Sequence, residues 1–212
     1  MSVSQQFETT HYLSIVQSDG RPDDCELKGK RAATRHRLMN ACATIIVESG
    51  FRSVSMTAVA EQAGITRQTV YRYFANSREV IDATLLRAGR EVLEAQFLVL
   101  RERGEPRDLI VTAVITSLRL INHNMLLVKA LNSGGNPRAL FSATLDSDLQ
   151  TRSAEELKRI GDRVGWDEQE CSEASEVITR CVNSYLMMPP RERTEAAIRK
   201  TLHKRLIPAL GL

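Results

Sequence analysis

An all-α fold of about nine helices is what this sequence predicts, and three observations carry the prediction. Apolar residues recur at spacings of three and four along most of the chain, and no segment of note alternates with the period of a strand. Glycines, prolines and short polar residues with capping chemistry fall where those periodic segments end. Apolar residues make up 42% of the 212 and aromatics only 5%, which is enough for a core but too little aromatic surface for an aromatic-rich β-sandwich.

Residues 1–27 show no sustained periodicity and contain "SDGRPDD", so they read as a flexible arm. From about Lys30 to Ser49 the positions Leu38, Cys42, Ile45 and Ile46 fall on one helical face, and Gly50 ends that helix. "SVSMTAVAEQAG" comes next, with Ser55 as N-cap, Val59, Ala60 and Ala63 as a short apolar face and Gly64 as a left-handed stop. Thr66 caps a third helix. Only Gly64 and Ile65 separate the two short helices, and small Ala60 and Ala63 let them pack closely, a helix-turn-helix pattern.

Asn76 or Ser77 starts a longer helix running to about Arg103, with the stripe Ile81, Leu85, Ala88, Val92, Ala95 and Val99. Helical periods continue over roughly 106–122 and 124–131; "NSGGNP" at 132–137 interrupts them, and another helix covers about 138–163. "DEQE" at 167–170 is an Asp-capped box, succeeded by the stripe Cys171, Ala174, Ile178, Cys181 and Tyr185. Pro189 and Pro190 close that helix, Pro190 opening the next, and a last stripe runs Ile198, Leu202, Leu206 and Ala209.

The third helix carries the chemistry. On a helical wheel of residues 66–74, Val70 and Phe74 lie together and face inward, while Gln68 and Arg72 point away from them, one turn apart. Thr69 and Tyr71 flank that outer strip, and Arg67 sits in the first turn. Such side chains suit a DNA groove. Arginine can grip O6 and N7 of guanine, glutamine can grip N6 and N7 of adenine, and a threonine methyl can touch that of thymine. Tyrosine hydroxyls and the capped N-termini of the second and third helices, at Ser55 and Thr66, suit phosphate.

Charge agrees. The formal net charge of +3 conceals −4 over residues 1–27, +7 over residues 28–78 and zero over the remainder. The +7 comes from nine bases (Lys28, Lys30, Arg31, Arg35, Arg37, Arg52, Arg67, Arg72, Arg78) against Glu48 and Glu61. A basic stretch of this kind implies a polyanionic partner.

Other classes are poorly served. No run of 18 apolar residues exists to span a bilayer, and "LIVTAVITSL" at 109–118 reads as a buried helix. The N-terminus has no basic start with an apolar stretch after it, so a cytoplasmic location is expected. The sequence contains no phosphate loop, GxSxG or HExxH, and its four histidines, at 11, 36, 123 and 203, do not cluster. Neither enzyme activity, nor a cofactor, nor a metal is expected. Cysteines 25, 42, 171 and 181 lack metal spacing and read as reduced, mostly buried thiols, with a redox sensor at Cys171 or Cys181 the minor alternative. The rival functional readings are a sequence-indifferent architectural DNA protein and, behind it, an all-helical enzyme.

Residues 31–80, and above all "SGFRSVSMTAVAEQAGITRQTVYRYFANSREV", resemble the DNA-binding domain of TetR-family transcriptional regulators. The resemblance implies an arm at 1–27, a helix-turn-helix domain at 28–76 and a helical ligand-binding and dimerisation domain at 77–212. It places Ser55 and Thr57 against phosphate, with a base as the alternative, and Thr66, Arg67, Gln68, Thr69, Tyr71, Arg72 and Tyr73 at the operator. Ser77 stands where the family often has a phosphate-gripping lysine, with Arg78 next. It further implies a homodimer on a pseudo-palindromic double-stranded operator, its seam sought at 168–188 and 191–207, and release by a small molecule, in the family's usual habit of repression. The ligand pocket would lie among helices 106–188, with His123, Met125, Phe141, Trp166, Tyr185 and Met187 as candidate lining.

Overall fold

A computed structural model of the chain describes residues 22–132, 147–188 and 194–212. Among the described residues there are nine α-helices and no strand: α1 (Pro22–Ser49), α2 (Met56–Ala63), α3 (Arg67–Tyr71), α4 (Ser77–Leu100), α5 (Pro106–His123), α6 (Met125–Asn132), α7 (Ser147–Val164), α8 (Glu168–Met187) and α9 (Glu195–Ala209). A 3-10 turn, Phe51–Ser53, lies between α1 and α2. The described residues fall into two units that divide between Arg37 and Leu38.

Helix α1 begins at Pro22, inside the segment that the sequence assigns to an arm. The physical reason lies in its first turn. Proline, which lacks an N–H, is well placed at the first position of a helix. Residues 1–21 lie outside the described residues. Within the first unit, Lys30, Arg31, Arg35 and Arg37 are all exposed.

In the second unit the apolar face of α1 behaves as its spacing predicts, with Leu38, Cys42, Ile45 and Ile46 buried. Gly50 ends the helix at φ 83°, a conformation that only glycine adopts without strain. Ser55 caps α2 by accepting from the Ala58 N–H at 3.1 Å. Gly64 closes α2 at φ 61° and ψ 41°, and the Ile65 N–H returns to the Ala60 carbonyl at 3.0 Å. Thr66 caps α3, accepting from the Thr69 N–H at 3.2 Å, and Asn76 caps α4, accepting from the Glu79 N–H at 3.0 Å.

The body is organised around α5. Its apolar residues leave few faces polar, since Leu109, Ile110, Val111, Ala113, Val114, Ile115, Leu118 and Ile121 are all buried. It packs against α4, α6, α7, α8 and α9, and α7 and α8 pack on each other. This central, buried position is why "LIVTAVITSL" is so apolar. No single described helix is long and apolar enough to cross a membrane. The capping box of α8 is present in both directions: the Glu170 N–H donates to Asp167 Oδ1 at 2.8 Å and the Asp167 N–H to Glu170 Oε2 at 2.7 Å.

Two helix ends differ from their sequence expectations. Helix α4 stops at Leu100 rather than near Arg103, its last turn tightening as the Arg101 N–H reaches both the Phe97 and Leu98 carbonyls. At the end of α9, Ala209 is exposed, and Ile207 and Leu210 are buried instead. Pro208 lacks an N–H, and the chain turns back there, with Gly211 at φ 73° and the Leu212 N–H on the Ile207 carbonyl at 3.1 Å. Pro189 and Pro190 lie outside the described residues.

Candidate nucleic-acid interface

Helix α3 is short, Arg67–Tyr71, yet the helical direction continues past its last residue. Arg72 keeps right-handed helical dihedrals, and the N–H groups of Tyr73 and Phe74 both bond to the Val70 carbonyl at 3.0 Å. That tight ending carries Phe74 to the same side as Val70. Both are sealed from water, at 0% and 1% exposure. Burying two such side chains contributes roughly 2–3 kcal/mol each and fixes which face of the segment looks outward. Gln68 and Arg72 are accordingly exposed, together with Thr66, Arg67 and Tyr71.

The hydroxyls on this surface are arranged as donors. Ser55 Oγ accepts from the Ala58 N–H, so its own proton is left for an outside acceptor. Thr66 and Thr69 hydroxyls lie 2.9 Å apart and use one proton between them, leaving the other. Tyr71 Oη accepts from Arg67 Nη2 at 3.1 Å and keeps its proton. Arg67 also lies over the Tyr71 ring, 5.5 Å from its centre. Add the guanidinium of Arg72 and the amide of Gln68, and the face is rich in donors. Phosphates and the acceptor edges of guanine are its natural complement.

The remaining sequence candidates divide. Thr57, on the first turn of α2, is exposed, Tyr73 is half-buried against the core, and Ser77, the first residue of α4, is half-buried. One residue escaped sequence reasoning. Glu79 sits three residues after the Asn76 cap, and its Oε2 accepts the Ala75 N–H at 2.6 Å. The Asn76-to-Glu79 spacing was the available signal, that of a capping box. Its consequence is that a carboxylate already occupies the start of α4. Beside it, Arg78 leans on Asp82, with Nε to Oδ2 at 3.5 Å.

The candidate ligand residues are not brought together in one site. His123 is exposed, its Nδ1 lying 2.7 Å from the Arg119 carbonyl oxygen. Met125 and Met187 are exposed, and Trp166 and Tyr185 are half-buried against the core. Phe141 lies outside the described residues. A cleft of about 60 Å³, open to solvent, instead runs between α4, α5, α6, α7 and α8. None of the five described candidates is on its wall.

Residues 38–84 match the sequence model of the family described as bacterial regulatory proteins, tetR family. The chain thus carries a TetR-type helix-turn-helix domain, the DNA-binding domain of transcriptional regulators. An uncharacterized HTH-type transcriptional regulator of Mycobacterium tuberculosis is 24% identical to it over 164 residues, covering 75% of this chain and 77% of that one. The HTH-type transcriptional regulator UidR of Escherichia coli is 38% identical over 53 residues, 25% of this chain and 27% of its own. Among solved structures, the TetR-family repressor AlkX of a Dietzia strain superposes with a TM-score of 0.61 at 20% identity, over 84% of this chain and 95% of its own. RolR bound to resorcinol superposes at 0.58 and 18% identity, over 87% of this chain and 94% of its own. At those identities the likeness concerns the fold. The sequence match falls on the helix-turn-helix and includes α3.

Proposed function

We propose that this chain is a cytoplasmic TetR-family repressor that binds a pseudo-palindromic operator as a homodimer and leaves it when a small molecule enters the helical body. The observation that carries the reading is the orientation of α3: Val70 and Phe74 buried behind it, Gln68 and Arg72 outermost. In this reading Arg67, Gln68, Thr69 and Arg72 meet base edges, while Ser55, Thr57, Thr66, Tyr71, Tyr73 and Ser77 serve the backbone. One copy of so short a reading helix covers few base pairs, and two copies about 34 Å apart, or a multiple, would read two half-sites. Val177, Met187 and Met188 are exposed on and just beyond α8, which supports a seam there with α9 of the same subunit contributing. A domain division at residues 76 and 77 fits this, with α4 leading from the reading head into a body that contains a cleft. The RolR complex with resorcinol shows a like fold holding a small molecule, and AlkX is a repressor of like fold.

Selection of bound sequences from random duplex DNA tests the reading, with footprinting and sedimentation of the protein alone and on DNA. One protected pseudo-palindrome bound by two chains is the expected result. Equal affinity for the selected site and for random duplex of the same length would mean an architectural protein instead.

A further inference from the structure

Gly89 stands in the middle of α4 with nothing within 4 Å of where a Cβ would be. Its φ is not positive, and no other backbone approaches it closely, so neither of the usual reasons for a glycine applies. A mid-helix glycine is destabilising relative to alanine. What the missing side chain leaves is space, and Gly89 lies on the wall of the body's cleft. Leu85, Gly89, Val92 and Gln96 form one stripe of α4 along that wall, a run of about 16 Å at the helical rise. From α8, Val182 and Asn183 contribute.

The cleft therefore runs along roughly two to three turns of α4. Among the described residues that line it there is no Asp, Glu, Lys, Arg or His. Its polar groups are amides and hydroxyls. Ser117, which is buried, has its hydroxyl 3.1 Å from the Ala113 carbonyl oxygen and 3.3 Å from Gln96 Oε1, donating towards both. The Ser117 proton, shared with the Ala113 carbonyl, favours the orientation in which Gln96 Oε1 faces it and the NH2 is a donor for an incoming oxygen. An ion in such a cleft would give up its hydration with no opposite charge to meet it.

Resting on the ligand-released reading above, we propose that the cleft takes a neutral, elongated, mostly aliphatic molecule. Its chain lies over Gly89, and an uncharged oxygen-bearing head group meets the Gln96 amide. Gly89 sets the bore, and the absence of charge on the wall sets the selectivity.

Calorimetric titration of the full chain at neutral pH with 1-octanol, octanoate and octylammonium, three head groups on one chain length, tests this. The alcohol should bind about tenfold or more tightly than either ion. Gly89→Leu fills the bore and should weaken octanol binding by about tenfold or more. Gly89→Ala, whose single methyl meets nothing, should show the same trend to a smaller degree, with circular dichroism verifying that both variants are helical. Octanoate or octylammonium binding as well as octanol, no heat with octanol, or unchanged octanol binding in both Gly89 variants would overturn the proposal. Release from operator is read separately by anisotropy. Selective octanol binding without release counts against the ligand-released reading and leaves the ligand class standing; release by an ionic compound does the reverse.

Discussion

The Arg67 guanidinium donates from Nη2 to the Tyr71 hydroxyl at 3.1 Å and lies 5.5 Å from the centre of that ring, so two side chains one turn apart on α3 act as a pair. The pairing restricts a long, flexible cation, which on the proposed reading lowers the ordering cost of binding DNA. Tyr71→Phe keeps the ring and removes the hydroxyl. It should weaken operator binding by about 1 kcal/mol, with little change in salt dependence because no charge is lost. Arg67→Ala should cost more. The double variant should lose less than the two single losses added, by about 0.5 kcal/mol or more. Strict additivity in fluorescence anisotropy titrations would mean that the pair does not persist on DNA.

Arg72 is exposed and opposite to buried Val70 and Phe74. Arg72→Ala is expected to cost about 1–3 kcal/mol on the selected operator and to relax the preference at one base pair per half-site. Competition with single-base operator variants measures it. A loss of the same size on random duplex would assign Arg72 to phosphate.

At the start of α4 stands Ser77, an uncharged side chain, and the Glu79 carboxylate accepts from the Ala75 N–H at 2.6 Å. An anion is thus already present where the helix dipole would attract a phosphate. Ser77→Lys should tighten binding to any duplex and steepen the salt dependence by about one counterion. Glu79→Gln should tighten it as well, at some cost in helix stability. If Ser77→Lys leaves affinity and salt slope unchanged, DNA does not pass this end of α4.

The legible parts of this protein were those governed by short-range rules. Gly50 and Gly64 adopt the positive φ that their places at helix ends called for, and Ser55, Thr66 and Asp167 cap as their sequence context requires. The wheel of residues 66–74 oriented Val70 and Phe74 correctly although the helix itself ends at Tyr71, because the tight turn after it preserves the helical direction. The start of α1 was not legible, since proline and acids serve a loop and a helix N-terminus equally well. The cleft was illegible for a different reason. It is walled by small and aliphatic residues from five helices, and nothing in sequence distinguishes Gly89 on a wall from a glycine in a packed crossing. Large, unusual residues such as Trp166 drew attention, while the space itself is made by what Gly89 lacks.

Burial pushes the Cys42 thiol up to about 11, with Thr84 and Arg87 opposing only in part. Cys171 and Cys181 are raised too, by burial first. At pH 8 these three should therefore be thiols rather than thiolates and react slowly with a disulfide reagent until the protein unfolds. The raised value also sets the sign for stability. The folded state keeps the Cys42 proton when the unfolded chain gives it up near 9.0, so stability is intact below that pH and falls as pH rises towards about 11. The loss should reach about 2–3 kcal/mol at most. Denaturant midpoints at pH 8 and above pH 10 measure it, and Cys42→Ala, though less stable throughout, should show a flatter pH dependence. An equally steep fall in that variant would place the titration elsewhere.

Gly161 is the opposite kind of glycine from Gly89. A Cβ on it would lie 2.6 Å from Cys171 Sγ and 3.2 Å from the Trp166 Cβ, at the crossing of α7 and α8. The first distance is shorter than real contacts permit, so either the Cys171 side chain or the helices must shift. Gly161→Ala should destabilise the fold by about 1–3 kcal/mol, despite alanine's better helix propensity. Cys171→Ala removes the sulfur that the methyl strikes, at a cost of its own. The double variant should therefore be more stable than the sum of the two losses predicts, by about 0.5–2 kcal/mol. The 3.2 Å contact with Trp166 remains, so the recovery should be partial. Urea unfolding of the four proteins closes the cycle. Additive losses would show that the crossing relaxes by moving α7 rather than by releasing the contact with Cys171.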